Sequence, residues 1–152
     1  MTDSQRQIAD ALSRSNRTAA AAESLTGGNV SAALSAIEGA SSWFLGGVVA
    51  YAETVKFGLL GVNRGGVIDA ETAQQMAIGV AELLKADFTV ATTGVGGPGP
   101  EEGQQPGTVY IAIASPTGCE VRQYLFEGDP PDVIEQTTQR ALQDLAGAIG
   151  TG

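Results

Sequence analysis

Glycine cuts this chain into short pieces. Of its 152 residues 21 are glycine, about twice the usual share of roughly 7%. They gather at Gly27-Gly28, at Gly46-Gly47, at Gly65-Gly66 and between Gly94 and Gly103. These clusters fall between apolar segments and do not recur at a fixed period, so a solenoid is excluded. Each cluster reads as a turn or a place where backbones come close, because only glycine adopts positive φ without cost. A chain punctuated this often folds from short strands and helices, not from a long coiled coil or one helical bundle.

The segments between the glycines alternate in type. Residues 4–16 place Ile8, Ala11 and Leu12 on one helical face. Residues 18–23 are small and apolar; alanine favours helix, but the stretch is short and runs into Ser24, so it reads as a buried strand. Residues 28–37 return to helical spacing through Val30, Ala33, Leu34 and Ile37. A second buried strand is expected over 44–51, followed by a short helix carrying Lys56 and closing near Leu60-Gly61. Asp69 is a good N-cap for a helix reaching about Ala86, with Ala73, Met76, Ala77, Val80, Leu83 and Leu84 on its apolar side. Strands are expected over 88–93, 108–114 and 119–126. The turn Pro116-Thr117-Gly118 makes the last two an antiparallel hairpin. A final helix from about Pro131, an apt first-turn residue, runs to Ile149. The sum is an α/β fold, a three-layer α/β/α sandwich on a mixed sheet of about five strands. No composition break divides it, and the loop 94–107 is too short to link two domains, so residues 1–152 form one domain.

Charge and composition narrow the function. Eight basic residues against seventeen acidic ones give a net charge of −9. That argues against direct nucleic-acid binding or docking on an acidic membrane, which need a positive field. The chain has no histidine, which excludes Ser-His-Asp triads, Cys-His dyads and histidine-ligated metals. Its one cysteine, Cys119, forms no internal disulfide and no cysteine-rich zinc site. Only an all-oxygen magnesium site would be conceivable; no metal or organic cofactor is expected. The start of the chain is polar, with no secretory leader, and no apolar run is long enough to span a bilayer. The expected location is the cytoplasm.

A few residues can carry chemistry, each with a plainer reading beside it. Ser24 ends a strand and precedes Thr26, Gly27, Gly28 and a helix. Either Ser24 or Thr26 caps that helix, or the Ser24 hydroxyl is a nucleophile beside backbone amides that hold an oxyanion. Lys56 lies five residues after Tyr51. It is either a solvated surface lysine or a desolvated base, and without histidine a serine nucleophile needs such a base. Tyr51 is a core residue, or a proton relay that holds the lysine. The loop from Thr93 through Gly94 and Gly97 lacks both the P-loop and the dinucleotide-binding fingerprint. It wraps a phosphate or ribose, or it is a plain mobile loop. Glu101, Glu102, Asp129 and Asp132 read as solvated surface. Cys119 reads as packed and inert, and Trp43 and Phe44 as core or subunit-interface packing.

Taken in order, the motifs resemble the C-terminal domain family of CinA, the competence/damage-inducible protein, which includes stand-alone nicotinamide-nucleotide amidohydrolases. They are residues 22–28 (Ala-Glu-Ser-Leu-Thr-Gly-Gly), 39–51 (Gly-Ala-Ser-Ser-Trp-Phe-Leu-Gly-Gly-Val-Val-Ala-Tyr), Lys56 with 59–62, 93–99 (Thr-Gly-Val-Gly-Gly-Pro-Gly), 106–111 and 126–129. They cover nearly the whole chain, and together they are specific where each alone is weak.

The resemblance implies deamidation of nicotinamide mononucleotide to nicotinate mononucleotide and ammonia, in pyridine-nucleotide recycling. It places the nucleophile on Ser24, the base on Lys56 and the supporting tyrosine on Tyr51. It adds a turn hydroxyl at Ser41 and the threonine of the Gly-rich loop at Thr93. Substrate contacts are expected from Thr26, Gly27, Gly28, Ser41, Thr93, Gly94 and Gly97. The implied partner is a small-molecule nucleotide. Self-association as a homodimer or higher homo-oligomer is also implied, and the small apolar residues of 40–47 suit it. Three departures stand out. Leu25 replaces the family's cysteine. The turn after the second strand keeps only Tyr51 and Lys56. The family's Gly-Asp-Arg and a following arginine become Gly128-Asp129-Pro130 and Ile134; Arg122 and Arg140 are the candidates to replace them. A member without catalysis, serving as a nucleotide-binding or protein-interaction module in competence or DNA-damage response, is the alternative. An amidase for an unphosphorylated amide is a third reading.

Overall fold

One interior strand of the sheet is built almost entirely of alanine. In the computed structural model, which describes residues 1–62 and 68–151, β1 (Ala19–Glu23) is buried along its whole length. It lies between β2 (Phe44–Val49) and β3 (Phe88–Gly94), parallel to both. β4 (Thr108–Ser115) and β5 (Gly118–Leu125) continue the sheet antiparallel. The five-stranded order is β2-β1-β3-β4-β5, the mixed sheet expected. The expected turn at Gly65-Gly66 lies outside the described residues.

Helices cover both faces. α1 (Asp3–Ser15), α2 (Asn29–Ser35) and α5 (Pro130–Thr151) pack on one side. α3 (Glu53–Leu59) and α4 (Ala70–Leu84) pack on the other. Along β1 the side chains alternate, Ala19 and Ala21 to the first face and Ala20 and Ala22 to the second, as strand geometry requires. Local sequence sets the helix ends. Thr2 and Gln5 form a reciprocal cap on α1, and Asp69 Oδ1 accepts the Thr72 amide at 2.7 Å at the start of α4.

The two layers differ in thickness. The α1/α2/α5 side is filled by Ile8, Leu12, Leu34, Trp43, Phe88 and Leu145. Each such side chain, fully buried, contributes about 1.5–3 kcal/mol. The α4 side is lined by Ala20, Ala22, Ala73, Ala77, Ala91 and Ala112, so helix and sheet approach closely. Thr89 Oγ1 then reaches the Ala77 carbonyl at 2.7 Å.

Gly79 lets α4 meet the end of α3. A Cβ there would stand 2.1 Å from the Leu60 carbonyl oxygen, and Leu60 caps the helix that carries Lys56. Alanine would gain up to about 1 kcal/mol of helix propensity. Pushing a backbone aside costs more, about 1–3 kcal/mol. Gly79→Ala is therefore expected to lower stability in urea unfolding, by about 1–2 kcal/mol net.

Candidate active site

At the C-terminal ends of the parallel strands, where ligands bind in open α/β sheets, the chain encloses a pocket of about 270 Å³. Ser24, Leu25, Tyr51, Lys56, Thr93, Gly94 and Gly97 line it, together with Glu53, Ile68, Gly96, Glu101, Pro130 and Ile134. Ser24 enters from the end of β1, and its amide donates to the Thr92 carbonyl of neighbouring β3 at 3.1 Å. Tyr51 and Lys56 come from the segment after β2, and Thr93 from the end of β3. Parallel pairing of β1 with both neighbours brings these three strand ends together.

Lys56 is the unusual group. It is 3% exposed, and among the described residues its Nζ has no hydrogen-bond or ion-pair partner. Burial pushes its ammonium below the ordinary lysine value, while the carboxylates of Glu53, Glu102 and Glu101 pull it back up. Removing a carboxylate should therefore favour the neutral amine further. Glu53→Gln is expected to move the rising, high-pH-active limb of a pH–rate profile to lower pH, read from kcat/KM across pH 6–11.

Ser24 is 8% exposed, and its Oγ makes no hydrogen bond among the described residues. Tyr51, by contrast, is 71% exposed and stands at the pocket rim, so it is not a core residue.

The turn after Ser24 is held by a residue that spacing did not single out. Glu23 is fully buried. Its Oε1 accepts from Thr26 Oγ1 at 2.6 Å, from the Gly28 amide at 3.2 Å and from the Val30 amide at 2.8 Å. Its Oε2 accepts from the Ser31 amide at 2.8 Å. The last residue of β1 thus caps α2, and neither Ser24 nor Thr26 does so; the residue preceding α2 has no side-chain cap bond. The Gly28 amide is given to Glu23, and the Gly27 amide to the Ser24 carbonyl at 3.1 Å. The expectation that these two amides hold an oxyanion is corrected on that ground. The Leu25 amide, by contrast, has no protein acceptor among the described residues.

Four expected substrate contacts do not line the pocket. Thr26 is buried with its hydroxyl between Glu23 and Thr92 Oγ1, the latter at 2.9 Å. Gly27 and Gly28 lie in the same capped turn, at positive φ. Ser41 sits in a short 3₁₀ turn, Ala40–Ser42, just before β2. Because Phe44 pairs with Ala19 and Val49 with Glu23, that turn is at the end of the sheet opposite Ser24.

The Gly-rich loop is anchored by its own hydrogen bonds. The Glu101 and Gln104 backbones bond reciprocally at 3.2 and 2.8 Å. Gln104 accepts from Tyr110 Oη at 2.7 Å and donates through Nε2 to the Ile68 carbonyl. The Ile68 amide donates to Glu102 Oε1 at 3.2 Å. This closure places Glu101 at the pocket wall, where it stays exposed, as expected of a solvated surface carboxylate.

Arg122 and Arg140 do not replace the missing arginines. Arg122 lies 3.6 Å from the Asp144 carboxylate, and Arg140 stacks 5.1 Å over the Tyr124 ring, both in the β5/α5 corner. The positions they were to compensate, Pro130 and Ile134, are themselves pocket wall. Cys119 is half-buried, its thiol pushed up by burial and by Glu120. Among the described residues no cluster of histidine, cysteine or carboxylate side chains could hold a metal, and no helix is long and apolar enough to cross a membrane.

The CinA C-terminal domain profile matches residues 1–149. A CinA-like protein of Frankia casuarinae is 42% identical over 86% of this chain and 31% of its own length. A CinA-like protein of Thermosynechococcus vestitus is also 42% identical, over 80% of this chain and 31% of its own. The chain thus spans about a third of the length of the curated relatives it matches. Among solved structures, the competence or damage-inducible protein of Enterobacter asburiae superposes with a TM-score of 0.92 at 31% identity, covering 97% of this chain and 96% of that one. The competence/damage inducible protein CihA of Agrobacterium tumefaciens gives 0.87 at 30% identity, covering 97% and 94%. The alternating strands, the glycine clusters and the sheet they build therefore have one source: the chain belongs to the CinA C-terminal domain family.

Proposed function

We propose that this chain is an amidohydrolase with Ser24 as nucleophile and Lys56 as base, releasing ammonia from a pyridine carboxamide. Nicotinamide mononucleotide, the substrate implied by the resemblance, would give nicotinate mononucleotide, a step of pyridine-nucleotide recycling. The observation that carries the reading is the buried, unpartnered Lys56 amine in one pocket with an uncommitted Ser24 hydroxyl.

Neutral Lys56 takes the Ser24 proton as Oγ attacks the carboxamide carbon. The carbonyl oxygen becomes an oxyanion; the Leu25 amide, the residue after the nucleophile, is the donor left to receive it. The C–N bond then breaks, and Lys56 returns its proton to the leaving ammonia. Water, deprotonated by the same amine, cleaves the acyl ester and restores Ser24. Ser24 Oγ and Lys56 Nζ share the pocket without a direct hydrogen bond between them. That contact tightens on substrate binding or is bridged by one water, as in many unliganded sites. Tyr51 at the rim orients the substrate or passes the proton. Thr93, Gly94 and Gly97 face the rest of the ligand, while Thr26, Gly27 and Gly28 act through the turn that aims Ser24. In an oligomer, the exposed Leu45 and Val49 of edge strand β2 are the apolar surface that self-association would cover.

The test is ammonia release by the parent and by Lys56→Met. Turnover that disappears in the variant is expected. The variant should also unfold at higher urea, because methionine fills the site without a buried charge. The sign follows from linkage: with the folded-state pKa below the unfolded one, the unfolded chain binds more protons between the two values. Stability therefore rises with pH there, and at lower pH burying the ammonium is a cost. Undiminished activity in Lys56→Met would remove the base from the mechanism. Nucleotide binding without turnover would favour the module linked to competence or damage that the relatives' names describe.

A further inference from the structure

We infer that Gln104, anchored by Tyr110, is a positioning residue for Lys56: it clamps Ile68 into the pocket wall and so keeps water from the buried amine. Lys56 as a catalytic base rests on the reading proposed above; the clamp and its hold on the amine do not.

Both backbone polar groups of Ile68 are held by side chains of one turn. Its amide donates to Glu102 Oε1 at 3.2 Å, and its carbonyl accepts from Gln104 Nε2. The other arm of the Gln104 amide, Oε1, accepts from Tyr110 Oη at 2.7 Å. Tyr110 lies on β4, which is paired on both sides, to β3 and to β5. One side chain thus ties a wall residue to the interior of the sheet. Glutamine suits the task because its planar amide offers an acceptor and donors on separate arms.

The turn is shaped for this grip. Glu102 at φ 49° and Gly103 at φ 73° are both left-handed, the pair of conformations that reverses a chain most tightly. The reversal joins the bridged residues Glu101 and Gln104. Glycine takes such a conformation freely, whereas glutamate is uncommon there. Backbone kept in a sparsely populated region marks a place where the surroundings enforce it. Here the enforced residue is the one whose carboxylate holds the Ile68 amide.

Ile68 is buried and forms a small apolar cluster with Val95, against which Phe57 and Tyr110 pack. Phe57 follows Lys56 on α3, and Ile68 and Lys56 line the same pocket. Loosening Ile68 therefore admits water beside Nζ. Two effects on the amine then compete. Renewed hydration lets the ammonium return toward its ordinary value, while any retreat of Glu101 and Glu102 weakens their upward pull. Burial is the larger influence, and Glu53, Glu101 and Glu102 are all exposed, so water and salt screen them. Hydration wins, and the amine should hold its proton to higher pH. Tyr51 at the rim is the remaining titratable group lining the pocket among the described residues.

The experiment reads the amine directly. The chain has two lysines, Lys56 and Lys85, so carbon-13 lysine labelling gives two ε-methylene signals, and Lys56→Met assigns them. Gln104→Met keeps the bulk of the side chain and removes both bonds. NMR titration should show Lys56 deprotonating at higher pH in Gln104→Met than in the parent, with Lys85 unmoved. Tyr110→Phe should shift Lys56 the same way by less. Gln105→Met alters the neighbouring exposed glutamine, whose side chain makes no hydrogen bond among the described residues, and should move neither lysine. In ammonia release, Gln104→Met should lower kcat/KM near neutral pH by about tenfold or more, the scale of a slightly misplaced catalytic group. The gap should narrow as pH rises, the opposite of Glu53→Gln. An unmoved Lys56 titration in Gln104→Met overturns the inference, as does an equal shift in Gln105→Met. If Gln104→Met does not fold, Tyr110→Phe, which loses one hydroxyl, decides by the same titration. A shifted titration in a chain whose parent releases no ammonia leaves the clamp standing and removes the hydrolytic reading.

Discussion

Ser24→Ala is expected to lower ammonia release by about 10³-fold or more, the scale seen when a covalent nucleophile is removed, while leaving the fold intact. The separation of the two effects comes from the structure. The hydroxyl makes no hydrogen bond among the described residues, so its loss orphans nothing. The Ser24 backbone, which does bond Thr92, is untouched. Urea unfolding of the variant should overlay that of the parent. Ser24 and Lys56 act as one unit, so the double variant with Lys56→Met should be no slower than the slower single one, since such effects are not additive. A double variant slower than either by the product of the two losses would mean that serine and lysine act in separate steps. Retained turnover in Ser24→Ala would remove the covalent mechanism outright.

Glu23→Ala is expected to be the most damaging substitution to stability. One residue away from Ser24, it would do the opposite of the serine variant. The carboxylate accepts the Thr26 hydroxyl and three amides of the α2 entry, all within the protein. Removing it strands several donors away from water. The loss should approach about 3–5 kcal/mol, as for a broken buried charged network. That is a large part of the ~5–15 kcal/mol that holds an ordinary domain folded. Glu23→Gln keeps the shape and one good acceptor but turns an NH₂ group toward N–H donors. Its loss should be smaller, about 1–3 kcal/mol. Denaturant midpoints measure both. If Glu23→Ala unfolds at the parent midpoint, the carboxylate does not hold the α2 turn.

The sheet and its helices were legible because each segment carried its own period. Val30 and Leu34, or Met76, Ala77 and Val80, mark helix faces, and the hairpin turn at Pro116-Thr117 is local chemistry. The polyalanine stretch was read as strand in spite of its propensity because it was short and bounded; burial against helices on both faces settles the conflict. Glu23 escaped notice for a physical reason. Capping is sought at the residue before a helix, and here the acceptor reaches forward from a strand. Ser41 was drawn toward Ser24 by its place in a motif, yet parallel pairing of β1 with β2 sends the start of one and the end of the other to opposite edges. Glu101 reads as a solvated loop residue and is one, but the Glu101–Gln104 closure that sets it beside the pocket leaves no local signal. Contacts made across folded space leave no mark on local spacing.

The alanine strand has a consequence for how this protein can change. It acts as a spacer of minimal thickness between two slabs of helix, and any bulkier residue must wedge away the slab that its side chain faces. Saturation mutagenesis at 19–22 should recover almost nothing beyond alanine, glycine, serine and cysteine. Drift in the domain is thereby channelled to its outer faces and to the walls of the pocket.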